Sequence, residues 1–192
     1  MKIAIVSDIH ADARALQLAL DDMPACELLL CAGDSISEYR FCPKTVEILK
    51  RAGAHCIQGN HETVLFGGRN PGYLQKCKQT FSEASLAYLA TAPLSKEFEC
   101  DGLKILMVHA SPWEPYEEYI YPGSQRLEEF ARLPYDMVCY GHTHVPVVHQ
   151  AGPVTVINPG SCSQPRDRDK RGAYALYDTR TKEGSIHRIE LA

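Results

Sequence analysis

Residues 3–10 read Ile3-Ala4-Ile5-Val6-Ser7-Asp8-Ile9-His10, an apolar run of strand-forming residues that ends directly in a polar cluster. The same pattern recurs three times: residues 28–31 precede Gly33-Asp34, residues 55–57 precede Gly59-Asn60-His61, and residues 137–140 precede Gly141-His142. Helical periodicity over residues 13–20 and 44–51 separates the first three runs. This alternation of strands and helices predicts a parallel sheet with right-handed crossovers.

The second half of the chain follows a different pattern. Residues 96–100 and 103–108 flank Asp101-Gly102, which predicts a hairpin. Helices are expected over residues 82–90 and 124–133, and antiparallel neighbouring strands over 145–150, 154–157, 173–177 and 185–191. Two mixed sheets packed face to face with helices outside fit this order, which gives a layered α/β sandwich. No linker or repeat divides the chain, so residues 1–192 are predicted to form a single domain.

Composition narrows the class of protein. The 192 residues include 20 Lys+Arg and 24 Asp+Glu, a formal net charge of -4 that argues against a surface coated by nucleic acid. Eight cysteines are scattered without a Cys-x-x-Cys pair, which favours a reduced protein. No apolar stretch is long enough for a signal peptide or a membrane span, so we expect a cytoplasmic protein with no membrane partner.

The polar residues at the strand ends are the candidate functional residues, because ligands of open α/β sheets bind outside the carboxyl ends of the strands. Their carboxylate, imidazole and amide groups are ligand types for divalent transition metals. Taken singly, each has an ordinary explanation as a helix cap, a buried histidine or a turn. Five strand ends together favour a metal site, and they carry Asp8, His10, Asp34, Asn60, His61, His109, His142 and His144. His55, His149 and His187 lie outside these clusters and are interpreted as structural or surface residues.

Five motifs carry a resemblance to a known family: Asp8-Ile9-His10, Gly33-Asp34, Gly59-Asn60-His61-Glu62, Val108-His109 and Gly141-His142-Thr143-His144. In this order they resemble the motifs of the calcineurin-like metallophosphoesterase superfamily. Residues 33–39, His109-Ala110-Ser111-Pro112 and Asn158-Pro159-Gly160-Ser161 with residues 164–167 are similar to its small bacterial and archaeal phosphodiesterases. The resemblance covers nearly the whole chain and implies a four-layer α/β/β/α sandwich with two mixed β-sheets.

The resemblance also implies a site with two divalent transition-metal ions per chain, drawn from Mn, Fe, Co, Ni and Zn. Their ligands would be Asp8, His10 and His144 for the first ion, Asn60, His109 and His142 for the second, and Asp34 between them. A metal-bridging hydroxide would then hydrolyse a phosphodiester or a small nucleotide or phosphate ester. His61 would be the catalytic residue that protonates the leaving group or stabilises the phosphoryl charge.

One position departs from the family pattern. Many members carry a second acid three residues after the bridging aspartate, and here that residue is Ser37, followed by Glu38. The group that orients His61 is therefore open among Ser37, Glu38 and a water molecule.

Substrate determinants are sparse. Arg166, close to the turn at Asn158-Pro159-Gly160-Ser161, is predicted to bind a phosphate of a small phosphoester or nucleotide substrate. The aromatic segment 113–121 follows His109 and forms either a wall for a base or aryl group or a packing surface. Alternatives to the phosphoesterase are a noncatalytic interaction module that retains the fold and a protein phosphatase. The oligomeric state, including a homo-oligomer, stays open.

Overall fold

The computed structural model describes residues 1–191, which contain two five-stranded sheets. The first sheet has the spatial order β10-β9-β1-β2-β3 and is made of β1 (Lys2–Val6), β2 (Leu28–Cys31), β3 (His55–Cys56), β9 (Gly172–Asp178) and β10 (Glu183–Ile189). The second has the order β4-β5-β6-β8-β7 and is made of β4 (Ser95–Cys100), β5 (Leu103–Val108), β6 (Met137–Cys139), β7 (Val147–Ala151) and β8 (Val154–Asn158).

The pairing directions make both sheets mixed. Strands β1, β2 and β3 are parallel, as predicted, while β9 runs antiparallel to both β1 and β10. In the second sheet β5, β6 and β8 are parallel, and β4 and β7 are antiparallel edge strands. The expected antiparallel pairs β7–β8 and β9–β10 both form, but they belong to different sheets.

Side-chain alternation along the strands produces the layers. Ile3 and Ile5 of β1 pack in the core between the sheets with Ile105 and Met107 of β5. Val6 faces the opposite way, toward α1 (Ala13–Asp22) and α2 (Pro43–Arg51). The outer face of the second sheet packs against a 3₁₀ helix, Gln125–Arg132. The layered sandwich predicted from the sequence is therefore confirmed, and the helix expected over residues 124–133 is present as the 3₁₀ helix Gln125–Arg132.

Three further helices pack together beside the sandwich: α3 (Asn60–Phe66), α4 (Pro71–Thr80) and α5 (Glu83–Thr91). The side chains of Leu65, Tyr73 and Leu89 join them in one apolar cluster. Helix α5 was expected, and the Ser82 side chain caps it by accepting a hydrogen bond from the Ser85 N–H. Helix α4 is not among the elements expected from the sequence, and neither is a helix that begins at Asn60 after β3.

No helix within residues 1–191 has both the length and the apolar character needed to cross a membrane. All eight cysteines are free, and six of them are buried.

Candidate metal centre

The predicted ligands converge at the ends of strands from both sheets. Asp34, after β2, is central: its Oδ2 lies 3.5 Å from His109 Nε2, 3.9 Å from His10 Nε2 and 4.0 Å from His61 Nε2. His144 Nε2 lies 3.4 Å from Asp8 Oδ1 and 3.0 Å from His10 Nε2. Asp34 therefore connects the residues around Asp8 to those around His109.

A second group forms on the other side of Asp34. The Asn60 Oδ1 atom lies 3.1 Å from His109 Nε2 and 3.0 Å from His142 Nδ1. Apart from half-buried Asn60, the predicted ligands are all buried. The structure thus brings together every residue that the sequence predicts as a ligand, with His61 beside them.

The backbone is strained at most of these positions. Five of the seven predicted ligands have a φ between 47° and 68°, in the left-handed region that non-glycine residues rarely adopt: Asp8, His10, Asp34, His142 and His144. Such a conformation costs about 1–3 kcal/mol per residue and persists where the surrounding structure enforces it. The surrounding structure therefore enforces a backbone conformation that lowers stability, and this conformation directs the five side chains toward one point.

Neighbouring groups fix the orientation of the imidazoles and carboxylates. His109 and His144 each place Nδ1 2.7 Å from a backbone carbonyl, of Ala32 and Gln164 respectively, which turns Nε2 toward the cluster. The backbone N–H of His142 donates to Asp8 Oδ2, and the backbone N–H of His61 donates to Asp34 Oδ1. One oxygen of each carboxylate is thereby held, and the other faces the cluster.

The donor atoms suit divalent cations. Three groups of potential ligand atoms each lie within 4.8 Å of one another: Asp8, His10 and His144; His10, Asp34 and His61; Asp34, His109 and His142. Asp8 Oδ1 is buried with no hydrogen-bond partner, a costly condition that a cation would relieve. Carboxylate oxygens with imidazole nitrogens are the ligands that transition metals accept. The residues present therefore fit a metal site.

Burial and charge set the protonation of the histidines. Burial lowers the pKa of His10 to about 3 and that of His142 to about 4, so both are neutral near pH 7 and have a free lone pair. Burial also opposes charge on His109, but the adjacent Asp34 carboxylate outweighs it and raises the pKa of His109. The proton that His109 would hold beside Asp34 would be released when a cation takes its place.

The sequence matches the family profile of the calcineurin-like phosphoesterase superfamily domain over residues 1–182. The chain belongs to this superfamily. An uncharacterized protein of Methanocaldococcus jannaschii is 27% identical, with 98% of this chain and 87% of that protein aligned. A phosphodiesterase of the same organism is 29% identical over 84% of each chain. The crystal structure of a metallophosphoesterase from Sphaerobacter thermophilus has a TM-score of 0.81 and 26% identity, covering 99% of this chain and 88% of that one.

The structure shows which of the two candidate residues, Ser37 or Glu38, faces His61. Glu38 Oε2 lies 3.7 Å from His61 Nδ1, and its other carboxylate oxygen accepts a hydrogen bond of 3.0 Å from the Asn70 side chain. Ser37 instead accepts a hydrogen bond from the Tyr39 N–H. Of the two residues left open by the sequence, Glu38 is the one positioned beside His61.

Glu62 is a supporting residue with no role among those expected from the sequence. Its buried carboxylate accepts hydrogen bonds from the N–H groups of Asp34, Ser35, Ile36 and Gly59 and from the Ser35 hydroxyl. It therefore connects the loop after β2 to the start of α3. A signal was present, because a glutamate three residues after a helix N-cap commonly bonds back to the cap.

Arg166 is exposed, and its backbone N–H donates to the His144 carbonyl at 3.1 Å. Nearby charges in its loop are paired, as Asp169 with Arg171 at 2.6 Å. A phosphate-binding role for Arg166 stays a prediction. The three histidines outside the clusters have other neighbours: His55 and His187 lie within hydrogen-bond distance of Lys96 and Ser185, and His149 Nε2 lies 3.0 Å from Glu128 Oε1.

Proposed function

We propose that this protein is a dinuclear-metal-dependent phosphoesterase that hydrolyses phosphodiesters or small nucleotide esters. The observation that supports it best is the position of Asp34, whose carboxylate lies between the Asp8–His10–His144 group and the Asn60–His109–His142 group. A single carboxylate shared by two sets of ligands suits two ions. Membership of the superfamily and the named phosphodiesterase relative agree with this reaction.

Two divalent ions held there would supply Lewis acidity toward the phosphoryl oxygens and would lower the pKa of a bound water. The residues of the chain have separate tasks. The neutral imidazoles of His10 and His142 offer lone pairs without adding positive charge, and the Asp8 and Asp34 carboxylates balance the cations. Two divalent ions against two carboxylates would leave the site positive, and this local charge would attract a phosphate anion to a protein of net charge -4.

His61 is the proposed proton donor to the leaving-group oxygen. It follows Asn60 in the first turn of α3, and its ring packs edge-on against that of His10 with centroids 4.8 Å apart. Its Nε2 faces Asp34 while its Nδ1 faces Glu38, so Glu38 acts as a positioning residue. A proton held on Nε2, beside the candidate ligand Asp34, would be suitably placed for transfer to a departing alkoxide.

The test is hydrolysis of bis(p-nitrophenyl) phosphate by the wild type, Asp34→Asn and His61→Ala in the presence of Mn²⁺, Ni²⁺, Zn²⁺ or Fe²⁺. His187→Ala is the matched control, because this histidine lies outside the cluster. We expect turnover by the wild type and the control. His61→Ala should lose about 10²-fold or more with a phenyl ester, whose leaving group needs a proton, and less with the p-nitrophenyl ester. Metal binding without turnover on this ester or on a panel of nucleotides would support a noncatalytic module instead. Activity confined to phosphopeptides would support a protein phosphatase.

A further inference from the structure

A cleft of about 810 Å³ opens beside the second group of candidate ligands. Two segments line it: α3 with the loop that follows it as far as Arg69, and residues 114–119. Asn60 and His142 belong to its wall. Any group bound in the cleft would therefore lie next to the proposed metal centre.

The cleft carries exposed aromatic surface. The Tyr119 ring lies 4.0 Å from the His142 ring, centroid to centroid, yet Tyr119 is 49% exposed. Tyr116 also lines the cleft and is 37% exposed. Among the large apolar residues exposed in the described chain, four of seven lie in residues 113–121. Such a concentration is typical of a binding surface and is not explained by core packing.

Contacts of Trp113 and Glu118 anchor the segment that carries these tyrosines. The Trp113 ring packs edge-on against Phe130 at 4.9 Å, and the Arg126 guanidinium lies 4.2 Å from the Trp113 ring. Arg126 also donates to Glu118 at 2.8 Å, and Glu118 accepts a further hydrogen bond from the Ser111 hydroxyl. The aromatic segment predicted as either a wall or a packing surface thus combines both features: Trp113 packs on Phe130 and Arg126 through part of its ring, and all four of its aromatic side chains keep exposed surface.

The charged residues that line the cleft favour some ligands over others. Glu114 and Glu117 line it together with one cation, Arg69. Two carboxylates against one guanidinium disfavour a second phosphate group and suit an uncharged group with hydroxyl or amino donors. We propose that the cleft is a subsite for the nucleoside part of the substrate, with the base packed against Tyr116 and Tyr119 and the phosphate at the metal centre. This assignment rests on the proposed phosphoesterase function and names its substrate class.

The experiment compares adenosine 5′-monophosphate with inorganic phosphate as inhibitors of bis(p-nitrophenyl) phosphate hydrolysis. Saturation-transfer NMR of adenosine 5′-monophosphate on the zinc-loaded protein provides a readout that does not need turnover. We expect the nucleotide to bind at least tenfold more tightly than phosphate. Tyr116→Ala and Tyr119→Ala should each weaken the nucleotide about tenfold while leaving phosphate within about twofold.

Tyr119→Phe is the matched variant, because it keeps the ring, and it should retain nucleotide affinity and saturation transfer to the base. Of the two tyrosines, only Tyr119 packs on His142. Tyr116→Ala therefore tests the subsite even if Tyr119→Ala disturbs His142. Unchanged nucleotide affinity in both alanine variants, or equal losses for nucleotide and phosphate, would overturn the subsite. Base saturation that depends on the tyrosines, in a protein without hydrolytic activity, would support the subsite and contradict the proposed function alone.

Discussion

Gly59→Ala tests the placement of Asp34 by a steric change of one methyl group. A Cβ atom at Gly59 would lie 2.2 Å from Asp34 Oδ1 and 2.5 Å from Asp34 N. The Gly59 φ of -96° is accessible to alanine, so contact with Asp34 is the main perturbation. To restore an ordinary separation the carboxylate must move by about 1 Å, and misplacement of a reacting group by that distance costs about 100-fold in rate.

We therefore expect kcat/KM for bis(p-nitrophenyl) phosphate to fall about 100-fold in Gly59→Ala. The free energy of unfolding should fall by about 1–3 kcal/mol, as is usual for overpacking, so the variant is assayed well below its melting temperature. Gly72→Ala is the matched control because its Cβ would meet Asn70 only at 3.6 Å, and in α4 it should gain about 0.5–1 kcal/mol. Wild-type kcat/KM in a folded Gly59→Ala protein would refute the central position given to Asp34.

Three further predictions follow from the supporting residues and the metal. Glu38→Gln should lower kcat about tenfold for a phenyl ester but only slightly for a p-nitrophenyl ester, because the p-nitrophenyl leaving group needs little protonation. Ser37→Ala should behave as wild type in the same assay. Equal losses with both esters would contradict the positioning role of Glu38. Glu62→Ala should lower the free energy of unfolding, measured in urea, by about 3 kcal/mol or more, because five buried donors lose their acceptor. A loss below 1 kcal/mol would show that these hydrogen bonds contribute little to stability. Chelation of the metal ions should lower the midpoint temperature of thermal unfolding, because ions at 100 times their Kd stabilise the folded state by about 2.7 kcal/mol. An unchanged midpoint in calorimetry would argue against bound metal.

The sequence was most informative where local pattern and chemistry coincide. The apolar run Ile3-Ala4-Ile5-Val6 predicted the strand, and Asp8 follows it at the carboxyl end, where ligands of open α/β sheets bind. The same reasoning located Asp34, His109 and His142 at strand ends. Local pattern could not show that Asn60 and His61 open a helix, since Gly59-Asn60 also fits a turn.

Other features depend on contacts between distant segments. Helix α4 begins at Pro71-Gly72, a pair that usually marks a turn, and its stability comes from packing Tyr73 and Cys77 against neighbouring helices. The choice of Glu38 over Ser37 required the position of His61, which lies 23 residues away along the chain. The packing of Trp113 depends on Arg126 and Phe130, which the sequence does not place next to it.

The most direct test of the two-metal centre is anomalous diffraction from crystals grown with Mn²⁺. The account predicts two manganese peaks per chain, one between Asp8, His10 and His144 and one between Asn60, His109 and His142, with Asp34 contacting both. The Asp34→Asn variant should lose at least one of the two peaks. A single peak in the wild type, or peaks away from Asp34, would contradict the dinuclear site.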